Sequence, residues 1–205
     1  MATRDPMRLA DEAAIQRTVE ALRARNIEAV VVESSAAAKT QLIEMVPEGA
    51  EIFNNTSETL DEIGYTAYVS HNPRYKNLHD AMVAATDPAQ QRELRRLSTV
   101  AEYFIGSVQA ITEAGEVVIA SSSGSQIGAY VYGAKYVIWV AGTQKICPTL
   151  ADAITRTRGY TLERHDQWLE AMGRAVTPIG KLAIVEKETV PGRIRLILIK
   201  ASLGW

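Results

Sequence analysis

Two near-continuous apolar runs constrain this chain more than any other feature of its sequence. They are Tyr136 to Gly142 (YVIWVAG) and Ile194 to Ile199 (IRLILI). Both have strand length, far short of the roughly 18–20 residues that span a bilayer. Apolar side chains follow one another here instead of alternating with polar ones, the pattern of a strand buried on both faces in a parallel sheet. A third run, Ile27 to Val32, ends in Val30, Val31 and Val32. Between such runs lie segments with helical spacing, as at Ile15, Val19 and Leu22 (i, i+4, i+7). Strands alternating with helices predict an α/β fold: a single domain over residues 1–205 with a mostly parallel sheet flanked by helices.

Local signals place the remaining elements. Asp5-Pro6 reads as a helix start, cap followed by proline, and predicts an N-terminal helix over about residues 6–25. Ser34 caps a second helix to about Val46, which Pro47 and Gly49 break. Ala50 to Phe53 is a short strand and Glu58 to Gly64 a short acidic helix, while residues 65–86 carry no clear pattern. Asp87-Pro88 opens a helix to about Tyr103. Two strands flank the tight turn Glu113-Ala114-Gly115-Glu116, and later helices run to about Tyr132, from Pro148 to about Arg158, and from Leu162 to Ala175. Leu182 to Glu186 and Arg193 to Lys200 read as a closing antiparallel pair around Val190-Pro191-Gly192.

Charge and cysteine content narrow the function classes. The formal net charge of −2 lacks the basic excess of a nucleic-acid binder. Cys147 is the one cysteine, so neither an internal disulfide nor a multi-cysteine metal site is expected. Met1 to Met7 carries charges and no apolar core of a secretory signal. The expectation is a cytoplasmic chain that binds neither nucleic acid nor membrane.

Ligands of open parallel sheets sit at the carboxyl ends of strands. Three segments meet that description: Asn54, Asn55, Thr56 and Ser57; Ser121 through Ser123, Gly124, Ser125 and Gln126; and Gly142, Thr143, Gln144 and Lys145. Each follows an expected strand and leads towards an expected helix, whose N-terminus attracts anions. Glycine permits close approach of backbone, serines offer hydroxyl donors and Lys145 a full charge. Together they predict a phosphate or carboxylate cradle; each alone reads first as a turn with caps. No Walker spacing and no dinucleotide fingerprint is present.

Other candidates stand apart from these loops. Glu113, at a strand-to-turn junction, is the candidate catalytic carboxylate, set against its reading as a solvated hairpin residue. His71, His79 and His165 are scattered, so no metal site is expected. Cys147, before a proline, reads as a small buried hydrophobe. Arg92, Arg95 and Arg96 share one helix side and read as a solvated face, whereas Arg74, Tyr75 and Lys76 form a short basic patch able to meet an anion.

These segments also carry a resemblance. Residues 109–116, Gln109-Ala110-Ile111-Thr112-Glu113-Ala114-Gly115-Glu116, are similar to the A-I-T-E-x-G segment of the LUD-domain (lactate-utilisation, LutC-like) family. The stretch from Tyr132-Gly133-Ala134-Lys135 through Val137-Ile138-Trp139-Val140-Ala141-Gly142 to Lys145 resembles its Y-G-x-K-x-V-I-x-V-x-G-x-x-K pattern. The helix bearing Leu150, Ala153, Ile154, Arg156 and Arg158 is similar too, as are residues 54–64 and the ending from Gly192 to Trp205. The resemblance implies a NagB/RpiA/CoA-transferase-like fold, whose members bind sugar phosphates or CoA esters at strand-end loops. It further implies a role in oxidising lactate beside iron–sulfur partner proteins. Some similar members carry several cysteines in the stretch matching residues 165–190; this chain has none there, so it is expected to hold no iron–sulfur cluster of its own.

Three functions remain open from the sequence. The first is an enzyme or binding component for a small anionic metabolite (an organic acid, phosphate or CoA ester) using the three loops. The second is a non-catalytic subunit that docks an iron–sulfur redox partner. The third is a metabolite sensor that changes its oligomer; the resemblance implies a fold group whose members often pair as homodimers, and the sequence leaves the assembly open.

Overall fold

Strands form where the β-branched and aromatic runs lie. A computed structural model describes residues 5–205; the reading of Met1 to Arg4 lies outside the described residues. The strands are β1 (Ile27–Val32), β2 (Glu51–Asn54), β3 (Lys76–Asn77), β4 (Tyr103–Gly106), β5 (Ala110–Thr112), β6 (Val117–Ser121), β7 (Tyr136–Gly142), β8 (Ile146–Cys147), β9 (Lys181–Val185) and β10 (Ile194–Ile199). The helices are α1 (Glu12–Ala24), α2 (Ser35–Met45), α3 (Glu58–Glu62), α4 (Tyr65–Val69), α5 (Leu78–Ala84), α6 (Pro88–Ser98), α7 (Ser125–Gly128), α8 (Leu150–Arg156) and α9 (Leu162–Ala171).

Six strands form an all-parallel sheet in the order β1-β10-β7-β4-β2-β3. The two most apolar runs are central neighbours, Trp139 facing Leu196 and Ile138 facing Arg195 in register. Alternate residues feed two cores. Val137, Trp139 and Ala141 join Leu196, Leu198 and the α1 residues Ile15, Val19 and Leu22 on one face. Ile138 and Val140 join Ile197, Ile199 and the α2 residues Ala38 and Leu42 on the other. Burying each large aliphatic side chain contributes about 1.5–3 kcal/mol, so this double-sided sheet holds the fold together. A second sheet, β8-β5-β6-β9, contributes Ile111, Val117, Ile119 and Val185 to the first core. Its other face meets Ala153 of α8.

Four expectations change. The N-terminal helix starts at Glu12, with Asp11 accepting from Ala14 N, not at Pro6. Asp5 instead accepts from Met7 N in a local turn. The helix opened by Asp87 and Pro88 stops at Ser98, and Tyr103–Gly106 is a strand. Residues 65–86 hold α4, α5 and β3. The C-terminal segments do not pair with each other. β10 inserts in parallel between β1 and β7, while β9 runs antiparallel to β6. The physical reason is burial: Ile194–Ile199 is apolar enough to need cover on both faces, which an edge hairpin cannot supply.

No helix among the described residues is long and apolar enough to cross a membrane.

Candidate functional site

The carboxyl ends of β2, β4, β6 and β7 open on one cavity of about 400 Å³, within the size range of small-molecule sites. After β2 come Asn55, Thr56 and Ser57, and after β6 the hydroxyls of Ser122, Ser123 and Ser125. Lys145 enters after β7. The first two segments touch directly: Asn55 Nδ2 donates to Gln126 Oε1 over 2.6 Å, and Gln126 Nε2 donates to Ala120 O.

Lys145 dominates the chemistry. It sits in a 3-10 turn, Thr143–Lys145, and is 1 % exposed. Its Nζ donates to Thr59 Oγ1 (3.1 Å) and Ser107 Oγ (3.0 Å), and it forms no salt bridge among the described residues. Burial of an ammonium without a counter-anion favours the neutral amine. Its pKa falls accordingly to about 7, through burial first and the Arg156 charge second, against an upward pull from Glu62. Ser107 follows β4, the strand that helical continuation hid in the sequence. The signal available there was the aromatic and β-branched trio Tyr103-Phe104-Ile105 stopped by Gly106.

Residues outside the three loops complete the wall. Arg95, Arg174, Glu58, Thr161, His165, Trp168 and Trp205 all line it. The rings of His165 and Trp168 lie 5.9 Å apart and those of Trp168 and Trp205 6.1 Å apart. Trp205 is held there by its tail: Gln144 Nε2 donates to Leu203 O (2.6 Å), and Gly204 N donates to Glu62 Oε2 (2.9 Å). Thr161 Oγ1 is buried with no hydrogen-bond partner among the described residues. Among the lining side chains, Arg95 and Arg174 are cationic, Lys145 is cationic when protonated, and Glu58 is the one carboxylate. Burial, and then Glu62 and Asp61, raise the Glu58 pKa. The wall therefore favours an anion.

Several expected residues do not reach the cavity. Asn54, at the end of β2, and Gly142 and Thr143 are buried and do not line it. A Cβ on Gly142 would overlap the carbonyl oxygen of Ala201. Gly124 has φ +89°, and its amide donates to Ser121 Oγ. Ser125 N donates likewise to Ser123 Oγ. Side chains rather than helix-terminal amides thus dominate this wall, since α7 spans only four residues and the amides of Gly124 and Ser125 are satisfied within the loop. Glu113 lies away from the cavity, where its Oε2 accepts from Arg17 Nη2 (2.6 Å) and Nε (2.9 Å). Arg74 bonds Tyr75 and pairs with Glu48. His79 packs edge-on against Phe53, burial lowering its pKa. Cys147 is buried. No group of three or more His, Cys, Asp or Glu able to hold a metal occurs among the described residues.

Comparison with known proteins places the chain in a family. A DUF162 family protein from Deinococcus radiodurans has a similar structure, with a TM-score of 0.55 at 9 % identity, over 94 % of this chain and 98 % of that one. A structure of eIF2B beta from Chaetomium thermophilum matches at a TM-score of 0.35 and 12 % identity, over 56 % of this chain and 43 % of the other. No curated protein sequence matches. The LUD domain model matches residues 15–199, and on that match the chain belongs to the LUD-domain family.

Proposed function

We propose that the cavity binds a small anionic metabolite, with Lys145 as the buried cation that the anion neutralises. One observation carries this reading: a buried lysine that lines the cavity has two hydroxyl partners and, among the described residues, no carboxylate in salt-bridge contact. An isolated buried charge is costly unless paired, and a ligand carboxylate or phosphate would supply the pair. The unpartnered hydroxyl of Thr161, the serines after β6, Arg95 and Arg174 add donors suited to the same group. An organic acid, a phosphate or a CoA ester would each meet these requirements. The family resemblance supports organic-acid metabolism and a fold related to CoA transferases.

A thermal-shift series with lactate, pyruvate, a sugar phosphate and a CoA ester tests the reading. A true ligand at a hundredfold excess over its Kd stabilises by about 2.7 kcal/mol. Lys145→Met should abolish that shift. Absence of any shift with the wild type, or an unchanged shift with the variant, would overturn the proposal.

A further inference from the structure

The surroundings of Lys145 hold more than a charge site, provided the cavity takes a small organic anion as proposed above. Nζ is surrounded by Thr59, Ser107 and Gly204, where a Cβ on Gly204 would come within 3.4 Å of it. Thr59 Oγ1 lies 3.4 Å from Leu203 O, and Ser107 Oγ lies 3.5 Å from Val108 O. Both hydroxyls can therefore direct their protons at carbonyls and accept from Nζ. The two hydroxyls also lie 3.3 Å from each other; with their protons directed at the carbonyls, a neutral amine donates its two N–H groups to Thr59 and Ser107 and keeps its lone pair for a ligand.

We propose that Lys145 is a nucleophile that condenses with the carbonyl carbon of a small 2-oxo acid to form an imine. Desolvated lysines serve as amine nucleophiles towards carbonyls because burial keeps them neutral. Here the pKa of about 7 leaves a substantial neutral fraction at neutral pH. The lone pair attacks the carbonyl carbon and forms the N–C bond. The carbonyl oxygen takes up a proton as nitrogen loses one, giving a carbinolamine. The C–O bond then breaks as nitrogen's electron pair closes the C=N bond; nitrogen gives up its remaining proton and the oxygen leaves with it as water. One water is released and nothing is oxidised. Thr59 and Ser107, within hydrogen-bond distance of Nζ, can relay these protons. The carboxylate of the 2-oxo acid suits the cationic, hydroxyl-rich wall, and the adjacent Trp168 and Trp205 leave an aromatic surface for side chains larger than a methyl.

Reductive trapping tests this. The full chain is incubated with pyruvate, 2-oxobutyrate, phenylpyruvate or lactate, reduced with borohydride, and read by intact mass and peptide mapping. The expected result is a single reduced adduct on Lys145 that saturates with 2-oxo acid concentration. Lactate should give none, and neither should a folded Lys145→Arg variant. An adduct confined to other lysines such as Lys39, Lys76 or Lys181, or no adduct at all, would overturn the imine. Thermal shifts with pyruvate and lactate separate the two levels. Stabilisation without trapping removes the imine and keeps the anion site. Neither stabilisation nor trapping removes both. Because mapping on the wild type identifies the modified lysine directly, the test does not depend on the variant folding.

Discussion

Asn55 Nδ2 donates to Gln126 Oε1 over 2.6 Å, joining the loop after β2 to the loop after β6 across a gap of 71 residues in sequence. The two loops belong to different sheets, so this bond fixes the opening between them. A neutral hydrogen bond contributes about 0.5–1.5 kcal/mol net. A double-mutant cycle with Asn55→Ala and Gln126→Ala should give a coupling near 1 kcal/mol in urea unfolding. Each single variant should also weaken ligand binding, because neighbouring Thr56 and Ser125 lose their support. Additive effects on stability would show that the bond does not persist in solution.

Lys145 makes stability depend on pH in an unusual direction. Its folded pKa of about 7 lies below the ordinary lysine value of 10.5. Between these two values the unfolded chain binds the proton and the folded chain does not, so stability rises with pH across that window. Below pH 7 the penalty is fully present. At about 1.4 kcal/mol per pKa unit, its upper bound is about 5 kcal/mol. The groups acting on Nζ are Arg156, which lowers its pKa, and Glu62, which raises it. Lys145→Met should therefore stabilise the unliganded protein at pH 7 and flatten stability between pH 7 and 10. Urea titrations at several pH values would show this, and a variant no more stable than wild type would contradict it.

The sheet was largely legible because its signal is local. Tyr136–Gly142 and Ile27–Val32 declare themselves by composition, and the helices after Ser34 and Asp87 by capping chemistry. β4 was not legible, because four residues following the amphipathic α6 continue its pattern without a glycine or proline between them. The partner of β10 was misread because a nearby Pro191-Gly192 turn suggests a hairpin. Its unbroken hydrophobicity, which demands two covered faces, was the stronger signal.

For the cavity, the sequence located three contributing loops but not their chemistry. Lysine is rarely buried, and nothing near Lys145 in sequence signals its enclosure. The atoms that enclose it, on Thr59 and Ser107, lie 86 and 38 residues away. Arg95 reads as one of three solvated arginines on α6, yet it lines the cavity while Arg96 pairs with Glu93. The Trp168–Trp205 wall depends on the C-terminal tail being clamped by Gln144 and Glu62, a tertiary event with no local pattern.

Glu113 offers a control. Its ion pair with Arg17, which is 56 % exposed, ties α1 to the β5–β6 turn outside the cavity. Such pairs contribute about 0.2–1 kcal/mol. Glu113→Gln should lower stability within that range and leave ligand affinity and pyruvate trapping unchanged. A loss of either would return this carboxylate to the chemistry.

Arg193 and Glu188 form a buried pair at 2.6 Å, each 9 % exposed at the side chain. The guanidinium also donates to the carbonyls of Ala129, Tyr130 and Ala134, closing the π-helical turn Ala129–Gly133. That turn carries Tyr130, whose hydroxyl donates to Ser107 O beside Lys145. Burial pushes the Glu188 pKa up, but hydrogen bonds from Val190 N and Arg193 outweigh it, and the net shift is downward. The carboxylate thus contributes stability above its unfolded pKa, lost as pH falls through the folded one. Arg193→Met strands a buried carboxylate and three carbonyls, so a loss of about 3–5 kcal/mol is expected at pH 7. The deficit should shrink in acid, where the stranded Glu188 can be neutralised by a proton. Adding Glu188→Met should recover part of the loss at pH 7. If the deficit were independent of pH and the double variant no better than the single, Arg193 would act through its carbonyl bonds alone, and the pairing with Glu188 would be incidental to the fold.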